Sequence, residues 1–292
     1  EQIIKELEQK DPGIANQCRY ISNTAKYPVY KNTDMEYYNT ALESFEAQLC
    51  ELSKAEKFIF MEYHAIEDAI SFERLKKVLI DKAKNGVEVR IFFLNKEFIK
   101  LMRDEGIQCR VFNPLKVIVN MFMNNRDHRK ITVIDGKVGF TGGYNLADEY
   151  FNITHPYGYW KDTGVKLTGD AVKSLTASFL TMWNAIDHTD SQEAYDEYID
   201  ATDGAYNAAS QECYVQPYSD NPLGHDRIGE DVYLNILKNA KHYVYITTPY
   251  LIITDEMERE LTLAVKRGVD VRIVTPGIPD KKMVYKITRS YY

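Results

Sequence analysis

The 292 residues, 45% of them hydrophobic, can bury a substantial core, and the length suits two domains or one double-lobed unit rather than a disordered chain. A net charge of −7 argues against a dedicated nucleic-acid binder, which needs a basic balance or a long basic stripe. Cys18, Cys50, Cys109 and Cys213 form no C-x-x-C pair, which excludes a zinc ribbon or disulfide framework and leaves buried thiols in a reducing compartment; no apolar run approaches the ~18 residues of a membrane span, and the opening residues lack a signal-peptide core.

The first predicted element that organises the chain is the strand in Ala55-Glu56-Lys57-Phe58-Ile59-Phe60-Met61-Glu62. A helical stretch follows and ends at Gly86, which fits the left-handed position after a helix, and a second strand runs through Gly86-Val87-Glu88-Val89-Arg90-Ile91. Strand, helix, strand at this spacing is a βαβ crossover, the seed of a mainly parallel sheet covered by helices. Ile91-Phe92-Phe93 then runs almost directly into Leu94-Asn95-Lys96-Glu97, which leaves too few residues for a turn and points to a loop missing at that join. The spacing predicts a helix over 95–106, a strand over 107–112 and a further helix opened by Asn113-Pro114. As a helix, 115–124 aligns Lys116, Asn120 and Asn124 in one polar stripe. Two readings stay open there: a buried core helix, or one that enters the bilayer surface or holds acyl chains and so delivers a lipid headgroup to the residues just after it.

From 129 to 141 the chain reads as two strands joined by Asp135-Gly136, a preferred pair for a two-residue hairpin turn. That turn sets Thr132 opposite Gly139, Lys130 opposite Thr141 and His128 opposite Gly143. A loop with His155, Tyr157 and Tyr159 then leads to Asp162 and a further strand, placing aromatic rings at an entrance. The polar stretch 193–210 marks a boundary, so that 1–200 forms a first lobe and 201–292 begins a second. In that second part Ala240-Lys241-His242-Tyr243-Val244-Tyr245-Ile246-Thr247 and Gly268-Val269-Asp270-Val271-Arg272-Ile273 echo the first crossover. The matched strings make duplication a better account than two unrelated units. The fold expected is a two-lobed α/β protein, each lobe a mixed, mainly parallel sheet flanked by helices.

One constellation carries chemistry: His128-x-Lys130-x4-Asp135-x6-Gly142-Gly143-x-Asn145. It coincides with the one basic cluster of note, Arg126, His128, Arg129 and Lys130, which marks an anion site. His128 and Lys130 project from one face of their strand, Gly142 and Gly143 leave room for a ligand, and Asn145 can donate its amide. An accidental match at all six fixed positions has a probability on the order of a few in a million. The set suits a phosphodiester, with neutral imidazole attacking phosphorus while Lys130 and Asn145 stabilise charge on its oxygens, and it requires no metal or other cofactor. The ring's other N–H needs a carboxylate to fix the tautomer, and Asp162 is the candidate. Asp135 belongs to the motif, but its turn position accounts for it structurally. His64, His155, His188, His225 and His242 share no metal-ligand spacing and are given no chemistry.

These residues resemble the first of the two H-x-K-x4-D motifs of the phospholipase D superfamily, with Gly143 where many members have Ser. The strings at 112–114, 125–130, 141–150, 160–163 and 248–250 are similar to those of bacterial cardiolipin synthases, so the likeness extends over nearly the whole chain. It implies that His128 becomes phosphorylated, that Asp162 orients it, and that Gly142, Gly143, Tyr157, Tyr159 and Tyr250 bind substrate. It implies transfer of a phosphatidyl group between two phosphatidylglycerol molecules with release of glycerol, at the cell membrane, with the lobes on the cytoplasmic side. Phosphatidylglycerol, other phospholipids and the membrane surface are then the partners. A phospholipase D-type hydrolase, a nuclease or an inactive lipid-binding module are the alternatives; net charge counts against the nuclease, and intact His128, Lys130 and Asn145 against the module. Two features of that family are not found in these residues, its N-terminal membrane-spanning region and its second motif. Gly86 precedes His128 by 42 residues. The same spacing from Gly268 sets a second motif near residue ~310. The expectation is that the native polypeptide continues to a second histidine acting as general acid and base, unless two chains pair as a homodimer to share their first motifs.

Overall fold

The computed structural model describes residues 1–67, 69–92, 96–111, 128–186, 190–203, 209–220 and 226–291. The expected helix over 115–124, the join after Phe92 and the strings at 112–114 and 125–127 lie outside them. In chain order come helices α1 (Gln2–Lys10) and α2 (Pro12–Thr24), strand β1 (Thr33–Tyr38), α3 (Ala41–Leu52), β2 (Phe58–Glu62), α4 (Ile70–Lys84) and β3 (Glu88–Phe92). Next are α5 (Lys96–Asp104), β4 (Gln108–Arg110), β5 (Ile131–Ile134), β6 (Val138–Gly142), β7 (Gly164–Gly169), α6 (Val172–Ile186) and α7 (Gln192–Asp200). The last are α8 (Ile228–Asn239), β8 (Tyr243–Thr247), α9 (Asp255–Lys266), β9 (Asp270–Val274) and α10 (Lys282–Ser290).

They fall into two units, Tyr27–Tyr218 and Glu1–Lys26 with Ser219–Tyr292, rather than dividing at 200/201. The stretch expected to mark a boundary instead contains α7, whose Tyr195, Tyr198 and Ile199 recur at helical spacing and pack into a core. Residues 209–218 stay with the larger unit because Tyr30 and Val215 exchange backbone hydrogen bonds and Asp34 accepts from the Ser210 and Gln211 N–H groups. In the smaller unit Tyr20 on α2 hydrogen-bonds to Asp231 on α8.

The larger unit is built on a seven-stranded mixed sheet in the order β1-β7-β6-β5-β2-β3-β4, flanked by helices. Among the described residues of this sheet only the β2–β3 and β3–β4 ladders are parallel. The other neighbours pair antiparallel, because after β4 the chain returns through β5, β6 and β7 as successive antiparallel neighbours. The expectation of a mainly parallel sheet therefore holds for the crossover strands and not for the ladders as a whole. Strand β2 lies inside the sheet and every one of its residues is buried. Ile59 and Met61 enter one core with Phe45, Phe72 and Leu79, while Phe58 and Phe60 enter the other with Phe179 and Trp183. Burial on both faces explains a run of apolar residues with no alternation.

Side-chain caps set the starts of α3 and α4. Thr40 and Glu43 form a reciprocal capping box at the start of α3. Helix α4 has no side-chain cap of its own at Ala69; Asp148 supplies it, accepting from the Ile70 and Ser71 N–H groups at 3.1 and 2.9 Å. That bond ties the chain just beyond β6 to α4.

The β5–β6 hairpin departs from the expected register by one residue. Asp135 and Gly136 take left-handed φ values of 53° and 67°, and the Lys137 N–H donates to the Ile134 carbonyl, as a tight turn requires. The ladder nevertheless pairs Ile134 with Val138 and Thr132 with Phe140, so Lys137 is one residue more than a two-residue loop. In the smaller unit β8 and β9 pair in parallel, Tyr243 opposite Asp270, at the positions equivalent to Phe58 opposite Glu88. Cys18 and Cys109 are buried and Cys213 is partly so, but Cys50 is exposed, so the four thiols are not alike in burial. Among the described residues no helix is long and apolar enough to cross a membrane.

Candidate active site

Strands β2 and β5 run antiparallel with Glu62 opposite Ile131, so the exit of β2 lies beside the entry of β5. This brings Tyr63 and His64 next to the residues before Ile131. Arg129 alternates away from His128 and Lys130; its guanidinium Nε and Nη2 lie 2.8 and 2.7 Å from Oε1 of the buried Glu62. Lys130 is only 5% exposed. Its Nζ donates to the His128 carbonyl at 2.6 Å and lies 3.2 Å from His128 Nδ1. An ammonium only donates, so Nδ1 is the acceptor in this geometry. His128 itself is exposed and open to a ligand.

A buried polar network lies along the same strand face as Lys130. Gln48 on α3 donates to Thr132 Oγ1 at 2.8 Å and to the Tyr63 hydroxyl at 3.0 Å, and accepts from the Tyr144 hydroxyl, which also bonds Ser44. Burial pushes the Tyr63 hydroxyl up to about 12 and raises Tyr144 well above its ordinary value, so both stay neutral and act as fixed dipoles.

Asn145 is spent on the protein at both ends. Its Oδ1 accepts from the Ala65 N–H at 3.2 Å and its Nδ2 donates to the Tyr150 hydroxyl at 3.1 Å. It therefore fastens the loop after β2 to the segment after β6. The room that a side chain would take at Gly142 and Gly143 is filled by protein and not left for a ligand as expected, although Gly143 itself is exposed. A Cβ on Gly143 would lie 2.2 Å from Asp162 Oδ1, and one on Gly142 would lie 2.6 Å from the Thr163 carbonyl oxygen, so Asp162 and its neighbour already fill that room. The Asp162 carboxylate accepts from the Thr163 N–H at 2.8 Å and from Trp160 Nε1 at 3.4 Å. Burial raises its pKa above the ordinary carboxylate value, opposed by those two hydrogen bonds and by the positive charge of Lys130.

Trp160 is held by Asn152, whose side chain bonds both its N–H and its carbonyl, and it meets Tyr150 and Tyr157 edge-on at 4.8 and 6.0 Å. Tyr157 thus joins the aromatic cluster beside Asp162, whereas Tyr159 is 68% exposed. Tyr250 lies in the other unit, where its hydroxyl bonds Asp280. Asp135 sits at the far end of β5, on the order of 15 Å along the strand from Lys130 at ~3.3 Å per residue. There it accepts from the backbone N–H groups of Glu56, Lys57 and Phe58 at 2.8, 2.7 and 2.9 Å.

Residue spacing assigns no chemistry to His64, yet its ring centroid lies 4.9 Å from that of His128. No spacing links residues 64 and 128, because their proximity is made by the β2–β5 pairing. The available signal was position: ligands gather beyond the carboxyl ends of parallel strands in α/β sheets, and His64 is two residues past the end of β2. Among the described residues no group of three or more His, Cys, Asp or Glu could hold a metal ion.

The family described as "Cardiolipin synthase, PLD-like domain" matches residues 49–183 and 233–292. An uncharacterised protein of Streptococcus mutans is 41% identical over 300 residues, covering 100% of this chain and 64% of its own length. A cardiolipin synthase of Oceanobacillus iheyensis is 33% identical over 268 residues, covering 89% of this chain and 54% of its own. The chain thus spans less than two thirds of the length of either relative. A phosphatidylserine synthase of Haemophilus influenzae Rd KW20 shares the fold, with a TM-score of 0.61 over 89% of this chain and 65% of that one, at 13% identity.

Proposed function

The chain belongs to the cardiolipin synthase family of phospholipase D-like proteins, and from that membership we propose that it carries the nucleophilic site of a phosphatidyltransferase joining two phosphatidylglycerol molecules with release of glycerol. The observation that supports this most is the nearly buried Lys130 ammonium fixed against an exposed imidazole, with the Asp162 carboxylate near enough for the Lys130 charge to pull its pKa down. A fixed cation next to an accessible nucleophile suits an anionic phosphodiester.

In this reading a His128 ring nitrogen attacks phosphorus, a P–N bond forms as the P–O bond to glycerol breaks, and the departing oxygen takes a proton from a general acid. The terminal hydroxyl of a second phosphatidylglycerol then attacks the phosphohistidine, the P–N bond breaks, and that hydroxyl proton returns to the same acid. Lys130 moves its hydrogen bond from Nδ1 to the phosphoryl oxygens as substrate enters; the ring proton passes through solvent from Nε2 to Nδ1, which donates it toward Asp162 and leaves the bare Nε2 to attack. Asn145 orients the surrounding loops and offers its remaining amide N–H. We assign the general acid to the histidine of a second motif in the duplicated lobe, and the reaction to the cytoplasmic face of the membrane.

Conversion of phosphatidylglycerol by the complete native polypeptide, with and without a competing short-chain alcohol, tests the reading. Cardiolipin plus glycerol, with the alcohol diverting product to a phosphatidyl alcohol, is expected. Phosphatidic acid as the sole product would make the protein a hydrolase, and binding without conversion would make it a lipid-binding module.

A further inference from the structure

His64 is held from both sides. The Tyr63 hydroxyl is hydrogen-bonded to Gln48 and, at 3.0 Å, to Thr132 on β5; Ala65 receives a bond from the Leu146 N–H at 3.1 Å and gives its own N–H to Asn145. Its two chain neighbours are thus anchored on the nucleophile's own strand and on the last residue of the motif. The ring between them is half-buried and tilted 48° to the ring of His128, 4.9 Å away. This is a built placement, one that Tyr63 and Ala65 fix before any ligand arrives.

The separation also limits what His64 can do. In-line displacement needs roughly 7 Å between the attacking nitrogen and the donor nitrogen of a leaving-group acid, because an approach of ~3 Å, a P–O bond and a hydrogen bond of ~2.8 Å must fit between them. Rings 4.9 Å apart leave no place for phosphorus between them, so His64 flanks the nucleophile rather than facing it across the substrate. A flanking donor points at the oxygens that do not leave. Imidazole carries at least one N–H in either tautomer, and the negative charge of the transition state is spread over those oxygens.

We propose that His64 is a second catalytic imidazole of the His128 site, donating a ring N–H to a non-bridging oxygen of the phosphodiester under attack. The role rests on the reading of His128 as the nucleophile. It divides the work around phosphorus: Lys130 supplies fixed charge beside the His128 ring, and His64 supplies a directed donor from the loop after β2.

The test compares His64→Phe, which keeps a ring but no donor, with His64→Gln, which keeps an N–H, in the complete native polypeptide. Steady-state transfer is measured alongside inhibition by orthovanadate, a phosphoryl mimic. The phenylalanine variant is expected to lose about 10- to 100-fold in kcat/KM and about 10-fold in vanadate affinity, and the glutamine variant to recover much of both. Wild-type kcat/KM in His64→Phe overturns the proposal. So do equal losses in both variants with vanadate affinity unchanged, which would make His64 a packing partner of the His128 ring. If the phenylalanine variant does not fold, His64→Ala replaces it: recovery of rate on adding free imidazole supports the role, and no recovery overturns it. Full activity in His128→Ala would instead strike the underlying reading of the site.

Discussion

Asp162 is where space and charge meet in the site. Gly143 has no Cβ, and the carboxylate occupies the volume that one would need. Burial holds the Asp162 pKa above its ordinary value even though Thr163, Trp160 and Lys130 pull it down. Between its unfolded and its raised folded pKa the folded protein binds this proton more tightly than the unfolded chain. The ionised group therefore costs stability at neutral pH, and that cost is relieved as the pH falls through the folded pKa. Asp162→Asn removes the charge and keeps an amide oxygen for the Thr163 N–H. Urea unfolding at pH 7 should find the variant at least as stable as the parent, with its advantage shrinking at acid pH, while turnover falls about 100-fold or more. Parental turnover would remove Asp162 from the chemistry. The position of this residue just before a strand was legible in the sequence, where Trp160-Lys161-Asp162-Thr163 runs into Gly164-Val165. Its occupation of the Gly143 space was not, since β6 and β7 must pair before the two residues meet.

Asp135 shows how one motif serves two ends of a strand. At the β5–β6 turn it accepts three backbone N–H groups at the entry of β2, and so holds the sheet together where the crossover begins. Asp135→Ala would leave the Lys57 and Phe58 N–H groups without this acceptor, and the expected loss is about 3 kcal/mol in the free energy of unfolding, read from the urea midpoint. A change under about 0.5 kcal/mol would contradict the bracing role. The turn itself could be read from Asp-Gly. The extra residue Lys137 could not, because its carbonyl accepts from Gly169 on β7, a strand that arrives some thirty residues later. The slip changes every β6 partner of β5 but leaves His128 and Lys130 on one face, since alternation along their own strand does not depend on register. Helix α7 was not legible for a related reason. Its tyrosines look polar in composition, yet Tyr195, Tyr198 and Ile199 form an apolar stripe that packs beside Phe58, Phe60 and Trp183.

Across the whole molecule the duplicated crossover was the most legible feature. Both copies end their helix at a glycine with φ near +87°, at +87° for Gly86 and +88° for Gly268, and both pair their strands at equivalent residues. The division into units was not legible, because Glu1–Lys26 associates with residues that lie some two hundred positions later. Such association depends on which helix faces remain uncovered once each sheet has formed, and composition does not reveal that. The chemistry proposed for the molecule turns on a covalent bond between phosphorus and one imidazole. That bond is tested most directly by mixing the complete native polypeptide with phosphate-labelled phosphatidylglycerol, quenching in alkali and mapping the modified residue by mass spectrometry. An acid-labile, alkali-stable phosphoryl adduct on His128, absent from a folded His128→Ala variant, is the predicted result; an adduct on His64 or any other residue, or turnover with no adduct at all, would contradict it.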